Sequence, residues 1–398
     1  MTACPHFPFA DRPGMALDSE YLQCFREQPL VPVQLSNGRQ ALLVTRHADV
    51  KRVLSDPRFS REAWAGGTLM ARDSKSLALA TSDAPVHTRR RRAVQAAFAP
   101  RQAEMDRSRI EALTEELLDA VEAAGSPVDL IATFTLPLPY SFTCEMLGIP
   151  KSDIPLLHPW VDVMMSAGLF SREEIAEAQR KMFGYFNEHL RIKRELLAAG
   201  APADDLLTKL LAMSGEDRLT DEELVVMGFG LMIAGGETTM NHLALAIYHL
   251  LRHPELAARL RQDPARIPST VEELLRWVWF NATGGQPHVA LEAVDLPGGR
   301  IEAGQVVIPL MDSANRDPAV FGHDAFDPDR APNPHLGFGH GRHMCLGASH
   351  ARAELQIALA ALLRRFPNLE LAVPEEKLEW RSGMFIRGLW KLPVRWSK

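Results

Sequence analysis

The stretch HLGFGHGRHMCLG, His335 to Gly347, decides how this chain is read. It sets one cysteine, Cys345, among glycines at 337, 339, 341 and 347 and histidines at 335, 340 and 343. Four readings compete for Cys345: an inert core thiol, a zinc ligand with His340, His343 and His350, a nucleophile, or the axial ligand of a haem iron. Glycine adopts positive φ without strain, so Gly337, Gly339 and Gly341 allow tight turns and close approach to a flat ligand. After Cys345 comes a segment rich in alanine and leucine that reads as a helix over about 346–366. A helix N-terminus presents unpaired N–H groups and partial positive charge, both of which favour thiolate over thiol. A thiolate so held suits a haem iron as fifth ligand. The zinc reading has a weakness in its spacing, which is not a pair-plus-pair arrangement.

Around this stretch the composition is ordinary. The 398 residues are 46% apolar and 24% charged with a net charge of −6, which predicts a soluble globular chain and gives no sign of nucleic-acid binding. The first residues, MTACPHFPFADRPG, lack a cationic region followed by an apolar run, so no signal peptide is expected. The longest uncharged run, LVVMGFGLMIAGG from Leu224, is shorter than the ~20 residues of a membrane span and predicts a buried helix. Cysteines at 4, 24, 144 and 345 show no CxxC spacing, which fits a reducing cytoplasm. A cytoplasmic monomer with no membrane or nucleic-acid partner is the expectation.

No internal repeat, low-complexity tract or linker interrupts the chain, and a single domain over 1–398 is expected. VPVQLSNGRQALLVTR reads as a hairpin around Asn37-Gly38. From His47 to about Leu275 the pattern is mostly helical, with breaks at Pro100, Gly125, Pro127, Gly148 to Pro150 and Gly200 to Pro202. The segment 61–85 lacks periodicity and reads as a long functional loop. The sum is a mainly α chain with small β-sheets. Its β-rich parts lie at about 25–60, at 281–315 and in C-terminal strands; its helical parts lie at about 86–280 and 346–366.

Three further clusters carry chemistry. EELLR places Glu273 and Arg276 at i, i+3 on one helix face; read alone, this is a surface ion pair worth at most ~1 kcal/mol. MIAGGETTMN lies in a helix over about 221–252, roughly 48 Å long at 1.5 Å per residue. There Gly235 and Gly236 each cost about 1 kcal/mol against alanine, offset either by close approach of a ligand or by helix packing. Thr238 can bond back to the carbonyl of Ala234 and loosen the helix locally. APVHTRRRRAVQAAF carries His87 and Arg91 on one helix face within a basic run, Arg89 to Arg92, that reads as an anion site.

FGHGRHMCLG resembles the haem-binding loop of the cytochrome P450 superfamily. Phe338, Gly341, His343, Cys345 and Gly347 fill the pattern's fixed positions, and the other clusters follow in the family's order over nearly the whole chain. It is most similar to soluble bacterial members, particularly actinobacterial ones of natural-product biosynthesis. The resemblance implies the P450 fold, with haem b between the long central helix and the helix after the cysteine loop. It makes Cys345 the iron ligand and places Ala234, Phe338, Gly339 and Gly347 against the haem. His87, Arg91 and His343 become propionate ligands. Relatives carry an arginine where this chain has His288, which is then expected to donate to a propionate with weaker, pH-dependent charge. Glu273 and Arg276 join Arg330 of FDPDR in a buried structural network. Glu237 and Thr238 become the acid–alcohol pair that passes protons to the oxygen being reduced. Arg89, Arg90 and Arg92 become candidates for a basic surface that steers an acidic iron–sulfur partner.

By the same resemblance Trp64, Leu79, Met164, Leu231, Ala282, Thr283, Met384 and Phe385 line the substrate pocket. Their apolar and small side chains suit a bulky, largely apolar natural product. The implied activity is monooxygenation with O2, hydroxylation or epoxidation, using electrons from a ferredoxin and ferredoxin reductase, because no flavin or nicotinamide fingerprint occurs. Oxidative C–C or C–N coupling is the alternative within the fold. A zinc enzyme or a haem sensor are alternatives of another class.

Overall fold

The computed structural model describes residues 5–9, 13–15, 28–65 and 78–397. They form two compact units: residues 1–83, 269–346 and 385–387 in the first, and 84–268, 347–384 and 388–398 in the second.

The first unit is built on a six-stranded sheet. Its strands in chain order are His6–Phe7 (β1), Leu30–Leu35 (β2), Gln40–Val44 (β3), Phe59–Ser60 (β4), His288–Ala290 (β5) and Val306–Pro309 (β6). They lie side by side in the order β1-β2-β3-β6-β5-β4. The hairpin read around Asn37-Gly38 is β2–β3, antiparallel from Leu30 opposite Val44 to Gln34 opposite Gln40, with Gly38 at φ +81° in the turn. Strict alternation in LVPVQL buries Val31, Val33 and Leu35 with Ala41, Leu43, Val306, Ile308 and Trp279 on one face. On the other face Val44, Val307 and Ala290 pack with Val50, Val53 and Leu54 of the helix His47–Ser55. β3 and β6 pair in parallel, Leu42 opposite Val307, a junction that requires a long connection.

The second unit is helical. Its centre is the helix Asp221–Arg252, which packs against Pro137–Leu147, Arg172–Ala198 and Ala348–Arg365. A capping box starts it: the Thr220 hydroxyl accepts from the Glu223 N–H (3.2 Å) while the Glu223 carboxylate accepts from the Thr220 N–H (2.9 Å). Arg89 and Arg90 of the helix Val86–Val94 also bind Glu223, and Arg92 pairs with Asp217. The basic run is therefore tied down within its own unit rather than displayed as a free patch. Arg90 is buried and offers nothing to a partner, while Arg89 and Arg92 keep part of their side chains at the surface.

The mid-helix glycines are explained by packing. A Cβ on Gly235 would stand 2.5 Å from the Thr143 hydroxyl, and one on Gly236 would stand 2.7 Å from the Tyr140 ring. Removing two side chains lets the helix Pro137–Leu147 approach, and that contact offsets the propensity cost. Close approach of a ligand is not needed to account for them. The helix after the cysteine loop begins at Ala348, two residues later than its composition suggests. Within the segment 61–85, Glu62–Ala65 is a short helix, and residues 66–77 lie outside those described. None of the described helices is long and apolar enough to cross a membrane.

Glu354 is a buried acid on the helix Ala348–Arg365, and its Oε2 has no hydrogen-bond partner among the described residues. Burial raises its pKa to about 8. The folded chain thus keeps a proton that the unfolded chain releases above about 4.5, so stability falls as pH rises from there to about 8. Glu354→Gln is expected to flatten that slope and to gain on the order of 2 kcal/mol over the parent at pH 8. Thermal unfolding of both proteins from pH 5 to 9 checks it.

Candidate active site

In the first unit, the cysteine loop hangs from the helix Ile267–Trp277. Glu273 and Arg276, one turn apart there, meet in a fork: Arg276 Nε to Oε2 at 2.7 Å and Nη2 to Oε1 at 2.6 Å, both side chains fully buried. Arg330 Nε joins Oε2 at 3.2 Å, Asn333 Nδ2 donates to Oε2 at 3.1 Å, and the Asp327 N–H donates to Oε1 at 2.8 Å. The structure thus brings Glu273, Arg276 and Arg330 together. It also shows what they hold. Arg276 Nη1 donates to the Asn315 carbonyl (2.8 Å), and Asn315 Oδ1 accepts from the Leu336 N–H (2.6 Å) at the start of the loop. Neighbouring Glu272 takes the ring of His335 (3.0 Å), whose Nδ1 accepts from the Gly337 N–H (3.1 Å).

From there the backbone folds tightly. Gly339 and Gly341 have φ of +72° and +71°, and the Cys345 N–H donates to the Phe338 carbonyl (2.8 Å) across the turn. Two of the glycines expected to admit a flat ligand instead admit protein. A Cβ on Gly341 would lie 2.5 Å from the Leu54 carbonyl, and one on Gly337 would lie 2.6 Å from that of Leu275. At Gly339 the nearest atom is 4.0 Å away, and at Gly347 nothing lies within 4 Å, so the space beside these two is open. Cys345 is exposed and not disulfide-bonded.

One ring nitrogen of His288 in β5 is engaged within the protein. Its Nε2 accepts from Arg61 Nε (3.1 Å). Burial, aided by the charges of Arg61 and Arg342, pushes its pKa down to about 3, so the ring is neutral and does not switch near neutral pH. Arg61 itself is pushed down to about 10, by burial first, with Asp83 opposing and Arg342 adding. Trp64 packs on the sheet core under the Arg39 guanidinium (4.7 Å), and Leu79 and Thr283 are half-buried. The Ala282 N–H donates to the carbonyl of exposed Phe385 (3.0 Å).

In the second unit, Glu237 is buried at the centre of a polar cluster. Its Oε1 binds Arg381 Nη1 (2.7 Å) and Asn241 Nδ2 (2.9 Å); its Oε2 accepts from the Tyr140 hydroxyl (3.3 Å) and lies 3.9 Å from His158 Nε2. Arg381 also binds Asp162 and lies over the Trp390 ring, 4.6 Å from its centre. Burial raises the Asp162 carboxyl, with Arg381 opposing, and burial then Glu237 hold the Tyr140 phenol well above its usual range. His158, Asp162 and Arg381 line a cavity of about 140 Å³ with Met240, Leu389 and Trp390. Among the described residues, His158, Asp162 and Glu237 form the only His/Cys/Asp/Glu group close enough to share a metal ion, and Arg381 already supplies the cation there.

Thr238 Oγ1 donates to the Ala234 carbonyl (2.6 Å), as helix back-bonding requires, and Ala234 is exposed. Leu231 is half-buried on the same helix. Met164 and Met384 are buried, and Met384 pairs with Ser166 in an isolated β-bridge. His87 is buried and Arg91 half-buried on the helix Val86–Val94. His350, a candidate zinc ligand, instead binds Asp106 (3.0 Å) and packs on Phe98 and Phe142.

Residues 141–387 match the family model described as Cytochrome P450. The chain belongs to the cytochrome P450 family. Over 98% of both chains it is 41% identical to the nocardicin C N-oxygenase of Nocardia uniformis subsp. tsuyamanensis. It is 40% identical, again over 98% of both, to the mycinamicin IV hydroxylase/epoxidase of Micromonospora griseorubida. A crystal structure of HinD with NMFT and NO superposes over the full length of both chains with a TM-score of 0.92 at 39% identity. The protein is a P450 monooxygenase, and haem is the family's cofactor. The residues present fit that group: an exposed thiol on a braced loop, and open space beside Gly339 and Gly347.

The sequence reading missed five residues of this P450's acid cluster: Tyr140, His158, Asp162, Asn241 and Arg381. Asn241 stands four residues after Glu237 on the same helix face, a spacing that signals contact. Arg381 is brought in by tertiary folding and leaves no local trace. Arg381→Met leaves buried Glu237 and half-buried Asp162 without their cation and is expected to cost about 3–5 kcal/mol of stability. Pairing it with Glu237→Gln recovers part of that loss. Urea unfolding of the parent, the two single variants and the double variant checks the coupling.

Proposed function

We propose that this P450 inserts one atom of O2 into a bulky, largely apolar small molecule of secondary metabolism, by hydroxylation or epoxidation, with haem b held by Cys345. The observation that carries this reading is Cys345 itself: an exposed thiol whose loop is fixed through Asn315 and His335 to the Glu273–Arg276 helix. Bound haem supplies oxygen activation, taking two electrons and two protons per O2 and leaving one oxygen in product and one in water. Electrons come from a ferredoxin and its reductase, since the chain carries no flavin or nicotinamide fingerprint. His87, Arg91 and His343 hold the haem carboxylates. The protein acts in the cytoplasm as a monomer.

Proton supply follows from the two oxygens of Glu237. Oε1 is occupied by Arg381 and Asn241, so it is fixed. Oε2 accepts only the longer Tyr140 bond and faces His158, so it is the oxygen that exchanges protons. The cavity beside His158 and Asp162 is large enough for several waters, and protons entering there reach Oε2. Thr238 then turns its hydroxyl from the Ala234 carbonyl to pass the proton on. Leu231 in the second unit, and Ala282, Thr283 and Phe385 in the first, offer apolar or small surfaces to the substrate. Relatives of nearly equal identity are named for N-oxygenation and for hydroxylation or epoxidation, so the atom oxidised depends on substrate placement rather than on the family.

The reduced protein with carbon monoxide is expected to show the strongly red-shifted Soret band of a thiolate-ligated haem, and Cys345→Ala to lose it. Metal analysis that finds zinc and no iron would overturn the reading. With an accepted substrate, Thr238→Ala is expected to raise the peroxide released per NADPH oxidised by about tenfold. Unchanged coupling removes Thr238 from the proton path.

A further inference from the structure

Two arginines in the first unit, Arg61 and Arg342, are half-buried with no acid paired to them among the described residues. Arg61 follows β4, donates through Nε to His288 Nε2 (3.1 Å) and through Nη1 to the Ala80 carbonyl (3.1 Å), and makes no other side-chain hydrogen bond to the described residues. Arg342 sits in the turn Gly341–His343 of the cysteine loop. No carboxylate lies within ion-pair distance of either guanidinium among the described residues. The acid whose charge acts on Arg61, Asp83, is engaged by the Ser60 hydroxyl and the Arg61 N–H (3.4 Å). The two cations stand close enough for Arg342 to weaken the protonation of both Arg61 and His288. Three buried arginines of the chain are matched by acids: Arg90 by Glu223, Arg276 by Glu273, Arg381 by Asp162 and Glu237. An unmatched pair of like charges beside a neutral imidazole is a site built for an anion.

The family places an arginine where this chain has His288. We propose that Arg61, aimed by His288, supplies that cation and binds a haem carboxylate. The inference rests on the haem reading above and adds a residue to it. His288 acts as a positioning residue: its Nε2 lone pair takes the Nε–H, which fixes the guanidinium plane and leaves Nη2 to donate. The charge that a single arginine at 288 would carry is thus divided between two residues from two strands of one sheet, Arg61 giving the charge and His288 the direction. Arg342, the residue after Gly341, reinforces the positive field from the loop.

The test uses the holoenzyme and excess apomyoglobin as haem acceptor. Arg61→Gln, which loses the charge and the Nε–H that reaches His288, is expected to release haem about tenfold faster than the parent, and the resonance Raman bending band of the propionate to shift. Arg61→Gln with His288→Arg, which restores an arginine at the family's position, is expected to return the release rate to within about twofold of the parent. Arg61→Lys is expected to fall between, since it keeps charge but not the fork. Haem release at the parental rate in Arg61→Gln overturns the proposal, and so does faster release with no rescue by His288→Arg. A parent protein that takes up no thiolate-ligated haem instead overturns the haem reading, and the proposal with it.

Discussion

The Glu273 carboxylate is the constraint on which the first unit's chemistry depends. Fully buried, it receives two guanidinium groups, an amide and a backbone N–H, so neither of its oxygens is left to water. A charge in that setting holds only while every partner stays in place; removing one leaves an uncompensated ion and costs several kcal/mol. The partners are spread over the chain from 273 to 333. The network is therefore a lock on the whole path that leads to the cysteine loop. Arg276 passes that rigidity to Asn315, and Asn315 passes it to Leu336. The loop needs such fixation because its glycines carry a large conformational entropy in the unfolded chain.

Electrostatics divides the histidines and arginines by what surrounds them rather than by type. Burial and cationic neighbours keep His288 neutral, which makes it an acceptor for Arg61 and removes it as a pH-sensitive donor. His350 is drawn to Asp106 and away from any zinc set. Four consecutive arginines, read along the sequence as one anion patch, separate into two that clamp Glu223, one that pairs with Asp217 and one that shares a helix face with His87. Local charge density says little about field until the acids folded beside it are known.

Much of this was legible in the residues. The Cys345 pattern, the ExxR pair, the Gly-Gly-Glu-Thr segment and the Asn37-Gly38 hairpin are all short-range features, with spacings that map directly onto a turn, a helix face or a ladder. What was hidden had partners far away in sequence. Gly235 and Gly236 suggested room for a ligand, whereas Tyr140 and Thr143 fill it. Gly341 suggested the same and instead receives the carbonyl of Leu54. A glycine announces that something comes close; its sequence neighbours do not say what. Arg381 and Arg61 were hidden for the same reason, since an isolated arginine looks like any solvated one until its surroundings are known.

Gly388 carries one such arrangement further. A Cβ there would stand 1.9 Å from Asn241 Oδ1, the amide that, with Arg381, fixes one oxygen of Glu237. A residue without a side chain, in the last stretch of the chain, thus sets the orientation of the buried acid. Any methyl group at 388 would push Asn241 aside, and the injury would surface as wasted reducing power in an enzyme whose haem, thiolate and substrate surfaces were all untouched. Variation at the C-terminal end of this chain is, in that sense, variation in catalytic efficiency.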